Sequence, residues 1–468
     1  MGNNGNGKIE LTDGSRIAVV GGGPAGSFFT FFALDFADRY GLDIKIDMIE
    51  AKNFLLTGSP GCNHCGGIVS ESLIQNLSAE GVVLPSNVIR RGIESYTLHL
   101  ENGTSVIETP LHEQRIASMF RGFGPKGSTD DSQLSFDNYL MDLCVEKGAE
   151  KVSGKINEAI REDDGIVLKT KDGFEKKYDL VVGAIGLNKL SFKLFEPLCT
   201  TTFKPPETTK THICEFLLGE ELVDEYFGDS MHVFLLNLPN IKFGALIPKG
   251  SYVTMVLLGA DINKEVVASF LNSDAVRSCF PESIDLQKAM PCQCYPSINV
   301  KGASTAFGDR VVLIGDSASS KLYKNGIGAA YITAKAAAKT AIFEGISEQD
   351  FKKHYQPVCA DLDRDNLIGK LIFIVTTVIQ KSPILKKGLL RMVIKEQKKD
   401  AKKRIMSSVL WDTFTGSAPY TDILKRAINP MFTLNLLGHS AKGLIFSNNN
   451  KTRKNNKQYE KQKARPAV

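Results

Sequence analysis

Arg16-Ile-Ala-Val-Val-Gly-Gly-Gly-Pro-Ala-Gly26 is the stretch on which the fold turns. Four apolar residues at 17–20 run into Gly21-x-Gly23-x-x-Gly26, and an apolar segment of helical length opens at Ser27-Phe28-Phe29. That order reads as strand, tight turn and helix. Gly21 can make the turn, Gly23 lets a pyrophosphate reach the backbone with no side chain in the way, and Gly26 lets helix and strand pack closely, with Pro24 and Ala25 between them. The phosphates then meet the unpaired N–H groups and positive end of the helix. The next strand-like run, 44–49, ends at Glu50-Ala51, where a carboxylate 24 residues past Gly26 can accept hydrogen bonds from a ribose.

Outward from this unit, the texture predicts an α/β chain: a Rossmann-like nucleotide-binding domain with an inserted antiparallel β-sheet and a C-terminal helical extension. A glycine-rich loop, 53–67, carries Cys62, His64, Cys65, Gly66 and Gly67 and leads to a helix over 69–79. Short strands at 95–100 and 105–108 flank Asn102-Gly103, and an amphipathic helix spans 134–147. Paired strands at 165–170 and 174–178 precede a buried strand at 180–183. From 208 to 260, alternating patterns predict antiparallel strands at 212–218, 232–238, 242–247 and 252–258. The first texture returns in the buried strand that ends at Gly315-Asp316, and in Gly326-Ile327-Gly328, which opens an alanine-rich helix over 329–343. The expected nucleotide-binding segments are 14–84, 116–200 and 299–345. Residues 85–115 and 201–298 would form the substrate sheet, 346–446 a basic helical region, and 447–468 a basic tail too poor in apolar residues to fold.

With 468 residues, 43% of them hydrophobic, the chain can bury a sizeable core. Residues 1–15 are polar, with no apolar signal region, and no apolar run nears the roughly eighteen residues that span a bilayer. The expectation is a cytoplasmic protein, free or peripheral on the cytoplasmic membrane face. Nine unevenly spaced cysteines predict thiols rather than a disulfide framework. The net charge of +5 hides an asymmetry: 381–404 carry +8 and 447–468 carry +6, leaving −9 for the rest. An acidic body without a recognised binding motif argues against nucleic acid as a partner.

One nucleotide fingerprint leaves NAD and FAD open, and Gly315-Asp316 tips the reading to FAD. A carboxylate ending a late strand, followed by a glycine-opened helix, suits a long cofactor. Asp316 can bond the ribityl hydroxyls, while the N–H groups of 326–330 face the flavin's pyrimidine end. A helix N-terminus there would favour the negative charge of reduced flavin by about 0.3 to 2 kcal/mol.

Together these motifs resemble the FAD-dependent oxidoreductases of the aromatic-hydroxylase fold group, over most of residues 16–345. Within that group, Cys65-Gly66-Gly67 is similar to the Cys-Gly-Gly motif of the geranylgeranyl reductase family, flavoenzymes that hydrogenate isoprenoid double bonds. The resemblance implies FAD as cofactor, an apolar isoprenoid-like substrate, and NAD(P)H or a reduced carrier protein as electron donor. It also implies that Phe243-Gly-Ala245-Leu-Ile247-Pro248 lines the substrate pocket, with Ala245 where the family's Tyr-x-Trp-x-Phe-Pro strand has Trp. There are two further departures. Ile185 in Gly183-Ala184-Ile185-Gly186 replaces the carboxylate of the group's Gly-Ala-Asp-Gly, and Gln133 stands where a basic residue often precedes Phe136-Asp137 by three positions. An FAD-dependent monooxygenase of an apolar compound, or a flavin-binding membrane scaffold without activity, would share the same motifs.

The loop Cys62-Asn63-His64-Cys65 admits several chemistries. In the family-like reading Cys65, with His64, supplies the proton that complements hydride delivery, since histidine titrates near neutral pH. As a redox pair, Cys62 and Cys65 would exchange electrons with flavin, although a second glycine-rich motif for NAD(P)H is missing. Joined by Cys292 and Cys294 they would make a closed four-thiolate zinc site, against the poor chelating geometry of Cys-x-Cys. Otherwise they are small residues that pack a glycine loop, and no metal is expected. Finally, 367–404 combine an apolar run with cations that alternate with Ile384, Leu385, Leu389, Leu390, Met392, Val393 and Ile394. This is the pattern of a basic amphipathic helix lying on an anionic membrane surface.

Overall fold

The structure, a computed structural model, describes residues 9–62, 65–109, 116–128, 133–400 and 403–428. His64 and the tail at 447–468 lie outside the described residues. Its first layer is a six-stranded sheet in the order Phe307–Gly308, Val311–Leu313, Leu180–Gly183, Ser15–Val20, Ile44–Glu50 and Glu150–Ser153, parallel except at the Phe307–Gly308 edge. Ile17, Ala18, Val19 and Leu180 to Val182 are fully buried, as expected of parallel strands covered on both faces, which therefore read as unbroken apolar runs. The helices Pro24–Tyr40 and Gly326–Phe343 pack against each other, with Phe28 and Phe32 edge-on to Tyr331 at 5.6 and 5.4 Å. Gly26 is required at the turn, because a Cβ there would stand 1.9 Å from the Gly21 carbonyl oxygen. The expected helices at 69–79 and 134–147 are trimmed to Glu71–Ala79 and Phe136–Glu146 by the caps Ser70 and Ser135. The expected hairpin at 165–178 gains a third strand, Ile156–Glu162.

The second layer is a seven-stranded sheet: Cys292–Cys294, His212–Leu217, Tyr252–Gly259, Ile241–Lys249, Ser230–Phe234, Ser95–Leu100 and Gly103–Glu108. Strands from 95–108 and from 212–294 thus meet in one sheet, through a parallel pairing of Ser230–Phe234 with Ser95–Leu100, while Arg91–Ile93 and Glu207–Lys210 pair in smaller sheets. The strand expected at 232–238 ends at Phe234, and the Leu238 N–H turns back onto the Leu236 carbonyl.

The C-terminal helices Gln356–Lys381, Pro383–Glu396, Ile405–Thr415 and Tyr420–Ala427 cover one face of this sheet. Trp411 stacks on Tyr96 at 5.4 Å, and Phe243 lies between Phe373 and Phe414 at 6.0 and 5.1 Å. This corrects the reading of 381–404 as a free amphipathic surface. Leu389, Leu390, Met392 and Val393 are buried in the core, and Lys386 is buried with its Nζ 2.6 Å from Glu101. A body-facing helix and a lipid-facing helix share one apolar period, so the pattern alone does not say which surface is met. Ile384 and Ile394 stay partly exposed on the helix Pro383–Glu396, and a larger group of exposed apolar residues lies one helix earlier: Leu367, Leu371, Ile374, Val375 and Val378, each about half exposed. Among the described residues no single helix is long and apolar enough to cross a membrane.

Candidate functional site

A cavity of about 730 Å³ runs between the two sheets. At one end stand Gly21, Gly23, Pro24 and Ala25, with Glu50 and Ala51 beside them. Gly21 has φ +111°, and a Cβ there would come within 2.3 Å of the Ala184 carbonyl oxygen, so only glycine fits. The helix Pro24–Tyr40 carries no side-chain cap. Its positive end is therefore open to the cavity rather than satisfied by a side chain, and that is where a pyrophosphate can sit. Glu50 holds the turn with both oxygens, accepting the Gly22 N–H at 2.7 Å and the Lys52 N–H at 2.8 Å. Gly26 packs helix to turn behind this end. The donors and the shape fit the diphosphate and ribose of a dinucleotide.

Midway along, Asp316 faces the cavity from the turn after Val311–Leu313. Burial pushes its carboxyl up, opposed by a hydrogen bond from Ser320 and by the charge of Arg121. Gly315, behind it, has φ +65°, and a Cβ there would meet the Ala25 methyl at 2.7 Å. Gly326 and Ile327 line the cavity at the head of the long helix, and a Cβ on Gly326 would stand 3.8 Å from Asp316 Oδ1. The expectation for 326–330 narrows here. The Gly328 N–H donates to the Asn325 side chain at 2.9 Å, and the Ala329 N–H donates to the Asn325 carbonyl at 3.1 Å. Those two donors are spent on the helix cap, so the site is left with the first residues, 326 and 327.

Arg121 was missed by the sequence reading, hidden in a breaker-rich loop. It lines the cavity and grips the buried Asp137 through Nε at 3.0 Å and Nη2 at 2.8 Å. Burial works against its charge, but Asp137, helped by Cys65 and Asp316, more than compensates and keeps the guanidinium protonated. Lys324 was missed as well. Its Nζ donates to the carbonyls of Ala418 and Asp412 at 2.9 and 3.2 Å and lies 3.7 Å from the Tyr420 ring centre. Burial, with Lys321 nearby, pushes it down to about 7.

Cys65, Gly66 and Gly67 form the next part of the wall. The Gly67 N–H donates to Cys65 Sγ at 3.3 Å, and Gly66 lies so close to the sheet that a Cβ would touch Val256 at 3.0 Å. Cys62 and Cys65 are free thiols. The cysteines 62, 65, 292 and 294 do not gather their sulfurs into a metal-sized cluster among the described residues. Beyond this loop the cavity is apolar, walled by Ile213, Met231, Val233, Phe243, Ala245, Ile247 and Val256, with Phe414 from the C-terminal helices. Pro248 stands off the cavity, its carbonyl taking the Ser118 hydroxyl at 2.7 Å.

No family model matches the chain, and no curated protein matches it in sequence. Solved structures do match in fold. A geranylgeranyl bacteriochlorophyll reductase-like protein from Thermoplasma acidophilum is 15% identical with a TM-score of 0.61, covering 92% of this chain and 100% of its own. The p-nitrophenol 4-monooxygenase PnpA from Pseudomonas putida is 14% identical with a TM-score of 0.56, covering 87% and 98%. Klebsiella pneumoniae HpxO, solved as a point variant in complex with FAD, is 13% identical with a TM-score of 0.54, covering 86% and 99%. At such identities the likeness is one of fold, and it agrees with the α/β class and the two-sheet architecture read from the sequence.

Proposed function

We propose that the chain binds FAD along this cavity and is an oxidoreductase that reduces carbon–carbon double bonds of an apolar, isoprenoid-like substrate. The observation that carries this reading is continuity: one cavity leads from an uncapped helix N-terminus and a glycine turn, past Asp316, into an apolar chamber. FAD supplies hydride transfer once it is reduced. The chain's residues do the rest. The glycine turn and the helix behind it hold the phosphates, Glu50 the ribose, and Asp316 with residues 326 and 327 the ring end. The walls from Ile213 to Val256 take up apolar chain, each buried methylene contributing about 0.8 kcal/mol, and they keep water from the reacting carbons. The Cys65 thiol, with His64 near it in sequence, is our candidate to give the proton that the second carbon needs. Electrons come from NAD(P)H or a reduced carrier protein.

Substrates of this kind reside in membranes, and the exposed stripe Leu367, Leu371, Ile374, Val375 and Val378, with Lys370 and Lys381 on the same helix, is our candidate for contact with an anionic bilayer surface. The fold likeness to a monooxygenase supports a second reading, hydroxylation of an apolar compound. The deciding experiment incubates purified, dithionite-reduced protein anaerobically with prenylated lipids and follows product saturation by mass spectrometry. Saturated product formed without oxygen supports the first reading. Reoxidation of the protein by substrate only when oxygen is present and consumed refutes it in favour of the second.

A further inference from the structure

On the far side of the seven-stranded sheet, His99, His232 and Cys279 bring three ligand atoms together in the core. His99 Nε2 and His232 Nδ1 are 3.1 Å apart, His232 Nδ1 and Cys279 Sγ 3.4 Å, and Cys279 Sγ and His99 Nε2 3.8 Å. All three residues are at most 3% exposed. Atoms with these separations share a point about 2.0 Å from each, close to the metal–nitrogen and metal–sulfur lengths of roughly 2.0 to 2.3 Å at protein metal sites. The triangle is built from three separate elements: the strand Ser95–Leu100, the strand Ser230–Phe234, and the turn after the short helix Asp274–Arg277. Met231 and Val233 line the cavity, so alternation along the strand aims His232 at the opposite face.

We propose that His99, His232 and Cys279 form a three-coordinate metal site that takes Cu(I) and fastens the 274–279 segment to the back of the substrate sheet. Charge selects the ion. Two neutral imidazoles and one thiolate around a monovalent ion leave no net charge, whereas a divalent ion would leave an uncompensated positive charge in a dry core, at a large desolvation cost. The surroundings are apolar: Phe234 stacks on His99 at 4.4 Å and Phe227 approaches His232 at 4.8 Å. Softness agrees, since thiolate with imidazole in trigonal array suits copper. On binding, the Cys279 thiol releases its proton to solvent as the sulfur–copper bond forms, and no electron is transferred. In the metal-free state that S–H donates to the Ala275 carbonyl at 3.3 Å. The site shares no residue with the FAD cavity, so it stands or falls independently of the function proposed above.

The test uses the full chain, produced in copper-supplemented cells, purified anaerobically and dialysed against the Cu(I) chelator bicinchoninate. We expect about one copper per chain, with an X-ray absorption shell of two nitrogens and one sulfur, and a loss of at least tenfold in bound copper in Cys279→Ala and His232→Phe. The control Cys65→Ser/Cys292→Ser should keep its copper. Far-UV circular dichroism and the melting temperature report whether each variant is folded, and the shell of the native protein decides the matter if neither variant is. Native protein that retains no copper, a sulfur-only shell, undiminished copper in Cys279→Ala, or displacement of Cu(I) by equimolar Zn(II) would each overturn the proposal.

Discussion

Arg121→Met is the substitution whose cost follows most directly from the structure. The side chain keeps its approximate volume but loses the guanidinium that gives Asp137 hydrogen bonds at 2.8, 3.0 and 3.2 Å. Asp137 is fully buried at the start of the helix Phe136–Glu146, so its carboxylate cannot turn to water. Breaking a buried pair from one side costs up to about 3 to 5 kcal/mol, and here the Lys52 charge, which also acts on Asp137, keeps part of the compensation, so about 2 to 3 kcal/mol is expected. Removing both charges, in Arg121→Met/Asp137→Leu, should recover most of that loss, because a buried ion pair is worth little against apolar residues of similar size. In urea, with a slope of about 3 kcal/mol/M for a chain of this size, the single variant should unfold roughly 1 M earlier than the parent and the double variant within about 0.5 M of it. The coupling energy from the double-mutant cycle should be about 2 kcal/mol or more. A single variant within about 1 kcal/mol of the parent, or a double variant no more stable than the single, would refute the claim that Arg121 compensates a buried charge. Because Arg121 also lines the cavity near Asp316, both variants should bind FAD more weakly, even where the double variant regains stability.

Gly21→Ala places a Cβ at φ +111° and 2.3 Å from the Ala184 oxygen. Backbone strain of about 1 to 3 kcal/mol at the phosphate turn should lower flavin occupancy tenfold or more, read from absorbance of the purified protein. Lys324 is held near 7 in the folded chain against about 10.4 unfolded. The unfolded chain therefore binds more protons between these values, and stability contributed at this site rises with pH from about 7 to 10. Lys324→Met should flatten that slope in melting curves, and an unchanged slope would place the titration elsewhere. Leu371→Glu/Ile374→Glu puts two carboxylates in the exposed stripe and should abolish flotation with anionic vesicles while leaving the melting temperature within a few degrees. Ala245→Trp narrows the apolar chamber and should shift turnover toward shorter prenyl chains, measured as relative kcat/KM across a length series.

The glycine turn was legible because its geometry is local. Gly21, Gly23, Gly26 and Glu50 act within one βαβ unit, and the strain at Gly21 and the close contact at Gly26 leave no other residue there, so spacing along the chain reports spacing in space. Asp316 was legible for the same reason, as the end of a buried strand followed by a glycine-opened helix. Arg121 was not. Its partner lies 16 residues on, its loop has no period, and the chemistry of a buried carboxylate sets no position from which the cation must come. The C-terminal helices failed differently. Both Leu389 and Leu371 belong to apolar stripes of helical period, yet Leu389 is 1% exposed and Leu371 47%. Periodicity establishes that a face is apolar, while what covers it depends on the strands 95–100 and 241–249, which arrive from elsewhere in the sequence. The same reasoning applies to the far wall of the cavity. Phe243 comes from a strand and Phe414 from a helix much later in the chain, and their rings meet at 5.1 Å. The apolar end of the cavity therefore closes only once the C-terminal helices dock, and a truncation before 405 should open it to water while the glycine turn at 21–26, held by the first unit and by Ala184, keeps its shape.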